Sequence, residues 1–167
     1  DAVFAPLVAA LGPSLERLEA RGLSALARLD LAALARVVLL DLSACRAALS
    51  DASVGQLATA LARRKTVRKL ALGNARELTD DACRALGDEL GDVLDDVSLY
   101  GCFRVTDLGV MHLANPRLDR VNLCGCYKVS DAGRRRLIHQ NERILIYNRP
   151  RDFGLPHPMH KDGWSQG

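Results

Sequence analysis

Aromatic side chains are scarce: Phe, Tyr and Trp make up 4% of the 167 residues, although the apolar share is 49%. A core built around large rings is thereby excluded, and many thin layers of Leu, Val and Ala are favoured. A chain of this length buries enough surface to fold without metals or disulfides. Lysine is scarce as well, with 4 residues against 19 Arg, and the net charge is only +3 from 23 basic and 20 acidic residues. Acids such as Asp88, Glu89, Asp92, Asp95 and Asp96 stand among the bases. The intense basic face interleaved with aromatics that marks a nucleic-acid module is therefore lacking. The runs Arg63 to Lys65 and Arg134 to Arg136 read first as solvated helix faces or ends, with RNA contact through Arg134, Arg135 and Arg136 as a minor alternative.

Long hydrophobic runs are missing too. The longest uncharged stretch, Ala2 to Leu15, is interrupted by Pro6 and Pro13 and falls short of the ~18 to 20 apolar residues of a transmembrane helix, so no membrane span is expected. Cysteines number five, at 45, 83, 102, 124 and 126. An odd count, mostly at one repeated position, is unlike a secreted disulfide framework. A reducing intracellular compartment is expected, mitochondrial or cytoplasmic alike.

Signatures of chemistry are absent. The chain has no phosphate-binding or dinucleotide glycine loop, no nucleophile elbow and no H-E-x-x-H pair. Cys124-Gly125-Cys126 and His157 with His160 lack the spacing of a zinc site, and His112 and His139 have no nucleophile placed with them. No catalytic residue, metal, cofactor or small-molecule substrate is expected, and the chain reads as non-enzymatic.

What the chain does have is a repeat. Leu40-Asp41-Leu42-Ser43-Ala44-Cys45, Leu70-Ala71-Leu72-Gly73-Asn74-Ala75, Val97-Ser98-Leu99-Tyr100-Gly101-Cys102 and Val121-Asn122-Leu123-Cys124-Gly125-Cys126 are four versions of one pattern, spaced by 30, 27 and 24 residues. Apolar residues two apart predict a short strand with one side in a core. The Cys or Ala that follows is small enough to turn inward, where a thiol can donate to a loop carbonyl. Next come Ser50-Asp51, Thr79-Asp80, Thr106-Asp107 and Ser130-Asp131. A hydroxyl followed by an acid predicts a helix start, with Leu49, Leu78, Val105 and Val129 in staple positions. Strand, turn and helix in so few residues cannot bury their apolar sides alone, so a stacked solenoid follows.

The copies Val97 to Gly109 and Val121 to Gly133 closely resemble the cysteine-containing leucine-rich repeat, L-x-L-x-G-C-x-x-[VIL]-[TS]-D-x-G, over about residues 37 to 148. The copy at 70 departs by having Asn74-Ala75 for Gly-Cys, and the copy at 40 is stretched. The resemblance implies an α/β leucine-rich-repeat solenoid of about five repeats, with short parallel strands on the concave side and helices on the convex side. Residues 1–36 would form an N-terminal cap and a degenerate first repeat, 37–148 the repeats, and 149–167 an extended tail. This repeat type is known from F-box substrate receptors of ubiquitin ligases, from relatives lacking the F-box, and from mitochondrial proteins similar to ATP synthase subunit s. It implies a protein-protein interaction scaffold whose partners are other protein subunits: a structural or assembly subunit of a larger complex, mitochondrial or otherwise, or alternatively the substrate-recognition part of an F-box-type ligase receptor. Residues 1–36 are too few for an F-box.

Alternation across the strands sends Asp41 and Ser43, Lys69 and Ala71, Asp96, Ser98 and Tyr100, then Arg120, Asn122 and Cys124 to the inner curve, ending near Tyr147. The protein-binding candidates are Asp41, Lys69, Asp96, Ser98, Tyr100, Arg120, Asn122 and Tyr147, together with Phe153 and Trp164 of the tail.

Overall fold

The computed structural model describes residues 14–22 and 36–147. Six three-residue strands form one parallel sheet in chain order: β1 (Arg17–Glu19), β2 (Leu39–Asp41), β3 (Lys69–Ala71), β4 (Asp96–Ser98), β5 (Arg120–Asn122) and β6 (Leu145–Tyr147). The helices α1 (Asp51–Ala62), α2 (Asp80–Leu90), α3 (Asp107–His112) and α4 (Asp131–Gln140) follow β2 to β5 in turn. Leu40, Leu70, Val97, Val121 and Ile146 are register partners along the sheet, and Leu18 of β1 joins the row. Strand β1 thus precedes the four copies and β6 follows them. The architecture is a leucine-rich-repeat solenoid.

The core is layered as the repeat implies. Leu42, Leu72, Leu99 and Leu123 are buried behind the strands, as are Val54, Leu57, Leu61, Cys83, Leu86, Leu90, Val110, Leu113 and Leu137 on the helices. Ser50, Thr79, Thr106 and Ser130 are the N-caps, each accepting a backbone N–H within its own helix start. All four staple residues are buried.

The aspartates after these caps act between coils as well as within one. Asp51 accepts from the Thr79 N–H at 2.8 Å and the Thr79 hydroxyl at 2.7 Å. Asp80 does the same for Thr106 at 2.7 and 2.6 Å, and Asp107 for Ser130 at 2.7 and 2.6 Å. Each carboxylate thus clamps the helix start of the next coil. A Cβ on Gly109 or Gly133 would collide with the Asp80 or Asp107 carboxylate, which explains the glycine two residues after the aspartate in those copies.

Thiols form a second ladder. Cys45, Cys102 and Cys126 donate to the carbonyls of Ala20, Leu72 and Leu99 at 3.0, 3.4 and 3.0 Å. Asparagines close the turns from helix to strand. Asn141 donates to the Asn115 and Leu118 carbonyls at 2.9 and 2.7 Å, and Asn115 Oδ1 accepts from the backbone of Arg117 and Leu118.

The residue before each inward thiol or alanine is left-handed: φ is 63° at Ala44, 60° at Asn74, 69° at Gly101 and 75° at Gly125. Only Ala44 carries the full cost of a Cβ there without a polar side chain to compensate. Ala44→Gly is expected to stabilise the domain by about 1 kcal/mol, read from the midpoint of urea unfolding. A lowered midpoint would contradict the assignment.

Candidate protein-binding surface

The inner curve carries three rows of side chains. The outer row is Lys69, Asp96 and Arg120, flanked by Leu39 and Leu145; the middle row is Asp41, Ala71, Ser98, Asn122 and Tyr147. Past the strands come Ser43, Gly73, Tyr100 and Cys124. Alternation aims all of these away from the core, but it does not make them accessible. Asp41, Ala71, Asp96, Ser98, Asn122 and Tyr147 are buried, all at 1–3% exposure. This corrects the expectation of an open polar stripe. Parallel strands lie only ~4.8 Å apart, so the short side chains of the middle row are walled in by register neighbours and roofed by the longer ones beside them. Lys69, Tyr100, Arg120, Ser43 and Cys124 are half-buried and form what is accessible of the stripe. Phe153 and Trp164 lie outside the described residues.

Two of the buried groups are satisfied locally. Asp41 accepts from the Ser43 N–H at 2.9 Å and from Arg21 Nε at 2.6 Å, and Asn122 Oδ1 accepts from the Cys124 N–H at 3.0 Å. These residues brace the strand ends and offer no free group to a partner.

Asp96 differs. Arg120 Nε lies 3.2 Å from its Oδ2, yet that buried oxygen accepts no hydrogen bond, so the pair is a Coulombic contact without alignment. Burial raises the Asp96 carboxyl to about 6; Arg120 and Lys69 pull it down, while Asp95 and Asp119 push it up. The folded state therefore binds this proton more tightly than the unfolded chain, whose carboxyl titrates near ~4. Its contribution to stability is present below about pH 4 and is lost as pH rises through about 6. Asp96→Asn should stabilise the domain at pH 7.5 by about 2 kcal/mol and leave it unimproved near pH 4. Thermal melts of both proteins across that range test this; a constant difference would place the carboxyl elsewhere.

The thiols are held unreactive. Burial, then the neighbouring Cys126, pushes Cys102 up to about 12, burial pushes Cys126 up to about 11, and burial followed by Cys102 raises Cys83. Since the thiolate is the nucleophile, native alkylation should label Cys124 first, with Cys45, Cys83, Cys102 and Cys126 protected. Mass spectrometry showing uniform labelling of the folded protein would overturn the packing. Among the described residues, no cluster of three or more His, Cys, Asp or Glu could hold a metal ion, and no helix is long and apolar enough to cross a membrane.

The rim where strands lead into helices holds residues that were not expected to matter. Four large hydrophobic side chains are exposed among the described residues, and three lie here: Phe103 at 38%, Leu108 at 72% and Tyr127 at 88%. Phe103 and Tyr127 directly follow Cys102 and Cys126, the position occupied by Arg46 and Arg76 in the earlier coils. The two loops run side by side: the Gly101 N–H donates to the Cys124 carbonyl at 2.8 Å, and Thr106 bridges to Lys128. Aligning the copies and asking why a chain with few rings places two of them at one loop position would have found this surface. On the opposite rim, a shallow open depression is lined by Asp95, Pro116, Arg117, Asp119 and Arg143. Its charges are partly paired, with Arg117 Nε donating to Asp95 at 2.9 Å.

Comparison with solved structures agrees with this architecture. A chain in the crystal structure of the Rad7 and Elc1 complex in yeast superposes with a TM-score of 0.54 at 16% identity, covering 81% of this chain and 41% of that one. The chain thus spans less than half of that relative's length, and the likeness is one of fold. No family model matches the sequence, and the comparison with curated proteins found no match.

Proposed function

We propose that the chain is a non-enzymatic protein-interaction scaffold, serving as a structural or assembly subunit of a larger complex. The observation that carries the reading is where the polar chemistry goes. The recurring acids and hydroxyls Asp51, Asp80, Asp107, Thr79, Thr106 and Ser130 are engaged in joining one coil to the next. What these bonds leave is a continuous inner curve and a rim, with tyrosine, phenylalanine and arginine among the accessible side chains. Such residues are enriched at protein interfaces and at their hot spots. The fold likeness to a chain found in a two-protein complex supports the same reading, and the odd cysteine count supports a reducing intracellular setting.

The inner curve is tested through Tyr100 and Arg120. Arg120 faces Asp96, so its removal alone would strand a buried carboxylate; an Asp96→Asn background avoids this. In that background, Tyr100→Ala with Arg120→Gln should weaken retention of protein partners by at least ~2 kcal/mol while the melting temperature stays near that of Asp96→Asn. The readout is quantitative mass spectrometry after affinity purification of the tagged chain from its native cells. Full retention would move the interface off the inner curve. Recovery of no stoichiometric protein with the wild type would end the scaffold reading.

A further inference from the structure

The strand-to-helix rim has a chemistry of its own. Its loops, between the inward Cys or Ala and the staple residue, read Arg46-Ala47-Ala48, Arg76-Glu77, Phe103-Arg104 and Tyr127-Lys128. Each of these four loops contributes one cation to this line, and together they hold a single acid. Glu77 is engaged by Arg104 at 2.8 Å, while Arg46, Arg76 and Lys128 form no ion pair among the described residues. On the last two of these coils the cations share the rim with the exposed side chains of Phe103, Leu108 and Tyr127.

Neither part is explained by folding. The inward positions of these loops are already filled by Leu49, Leu78, Val105 and Val129, so Phe103 and Tyr127 are surplus to the core. Exposed aromatics on adjacent loops that also carry cations form anchor positions for a partner.

Resting on the scaffold reading above, we propose that this rim docks an acidic peptide segment of a protein partner. Apolar side chains of the segment cover Phe103, Leu108 and Tyr127, and its carboxylates pair with Lys128, Arg76 and Arg46. Charge complementarity selects the occupant. Three unpaired cations in a line oppose a basic segment, and a neutral one would leave them unmatched. The helix starts directly behind the rim carry Asp80, Asp81, Asp107 and Asp131. Asp80 and Asp107 are engaged by the next cap and Asp81 by Arg84, so the cations remain available to an anion, and the aliphatic Leu108 suits an apolar peptide side chain while offering a base no stacking platform. A protein segment is therefore favoured over single-stranded nucleic acid.

The test uses a random twelve-residue peptide library displayed on phage and panned against the full chain at low salt. Enriched peptides are then synthesised with a fluorescent label and titrated by anisotropy. They should combine Asp or Glu with apolar residues. Their affinity should fall at least ~10-fold for Tyr127→Ala with Lys128→Glu, and by a similar factor between 50 and 500 mM salt. Both substituted side chains are exposed, so the variant should melt with the wild type. Enrichment of neutral or basic sequences, equal binding to the variant, or no enrichment would each overturn the proposal. So would rim-dependent binding of a labelled twelve-nucleotide oligouridine in place of peptide. If the native partner is still retained by the Tyr127→Ala, Lys128→Glu protein, the rim proposal falls and the scaffold reading stands; if no protein partner is found at all, the scaffold reading falls first.

Discussion

The carboxylate that reaches from one helix start to the next is the constraint on which the rest of this solenoid depends. Three-residue strands supply few backbone bonds per coil, and helices of 6 to 12 residues are marginal alone. Asp51, Asp80 and Asp107 each accept two hydrogen bonds from the next N-cap residue. One acid thereby orients the hydroxyl that caps the following helix and holds the convex side in register with the sheet. Bonds to a charged acceptor are among the stronger ones available to a protein. The thiol ladder and the asparagine turns repeat this logic at two other corners of the coil: a buried polar group in one coil is satisfied by a side chain of the next.

Much of this was readable in the residues. Alternation located the strands within a residue, and the hydroxyl-acid pairs placed all four described helix starts. The small inward residues Cys45, Cys102 and Cys126 were foreseen as donors to loop carbonyls. The reach of the aspartates is not legible in one repeat, because a favourable dipole at a helix start already accounts for an acid at that position. Gly109 and Gly133 held the missing clue, since nothing within their own coil demands glycine there. Asn115 and Asn141 have no fixed offset from the motif, so no repeat pattern marks their bridging.

The candidate surface was less legible. Alternation tells which side of a sheet a residue occupies, and Asp41, Asp96, Ser98 and Asn122 do lie on the inner side. Accessibility depends instead on how closely neighbouring coils approach and how long their side chains are, which a single strand sequence does not encode. Asp96 shows the cost. Placed between Lys69 and Arg120, it looks well compensated, yet its oxygen is shielded without a hydrogen bond, and its proton is held more tightly than in an unfolded chain. Phe103 and Tyr127 are hard to read for the opposite reason: within one repeat they occupy variable positions, and only comparison between coils sets them apart.

The aspartate clamp has a direction, and that direction defines where one structural module ends and the next begins. A carboxylate always belongs to the earlier coil and its hydroxyl to the later one. At the first described helix the Ser50 N–H is instead taken by its own Ser53 at 2.9 Å, so that cap is closed within its own coil. A duplicated or transplanted unit fits only if it begins with Ser or Thr and carries its own aspartate forward, with a small residue two positions beyond. The boundary relevant to lengthening, shortening or recombining such a chain therefore falls between the cap and the acid that follows it, inside what the secondary structure would count as a single helix start.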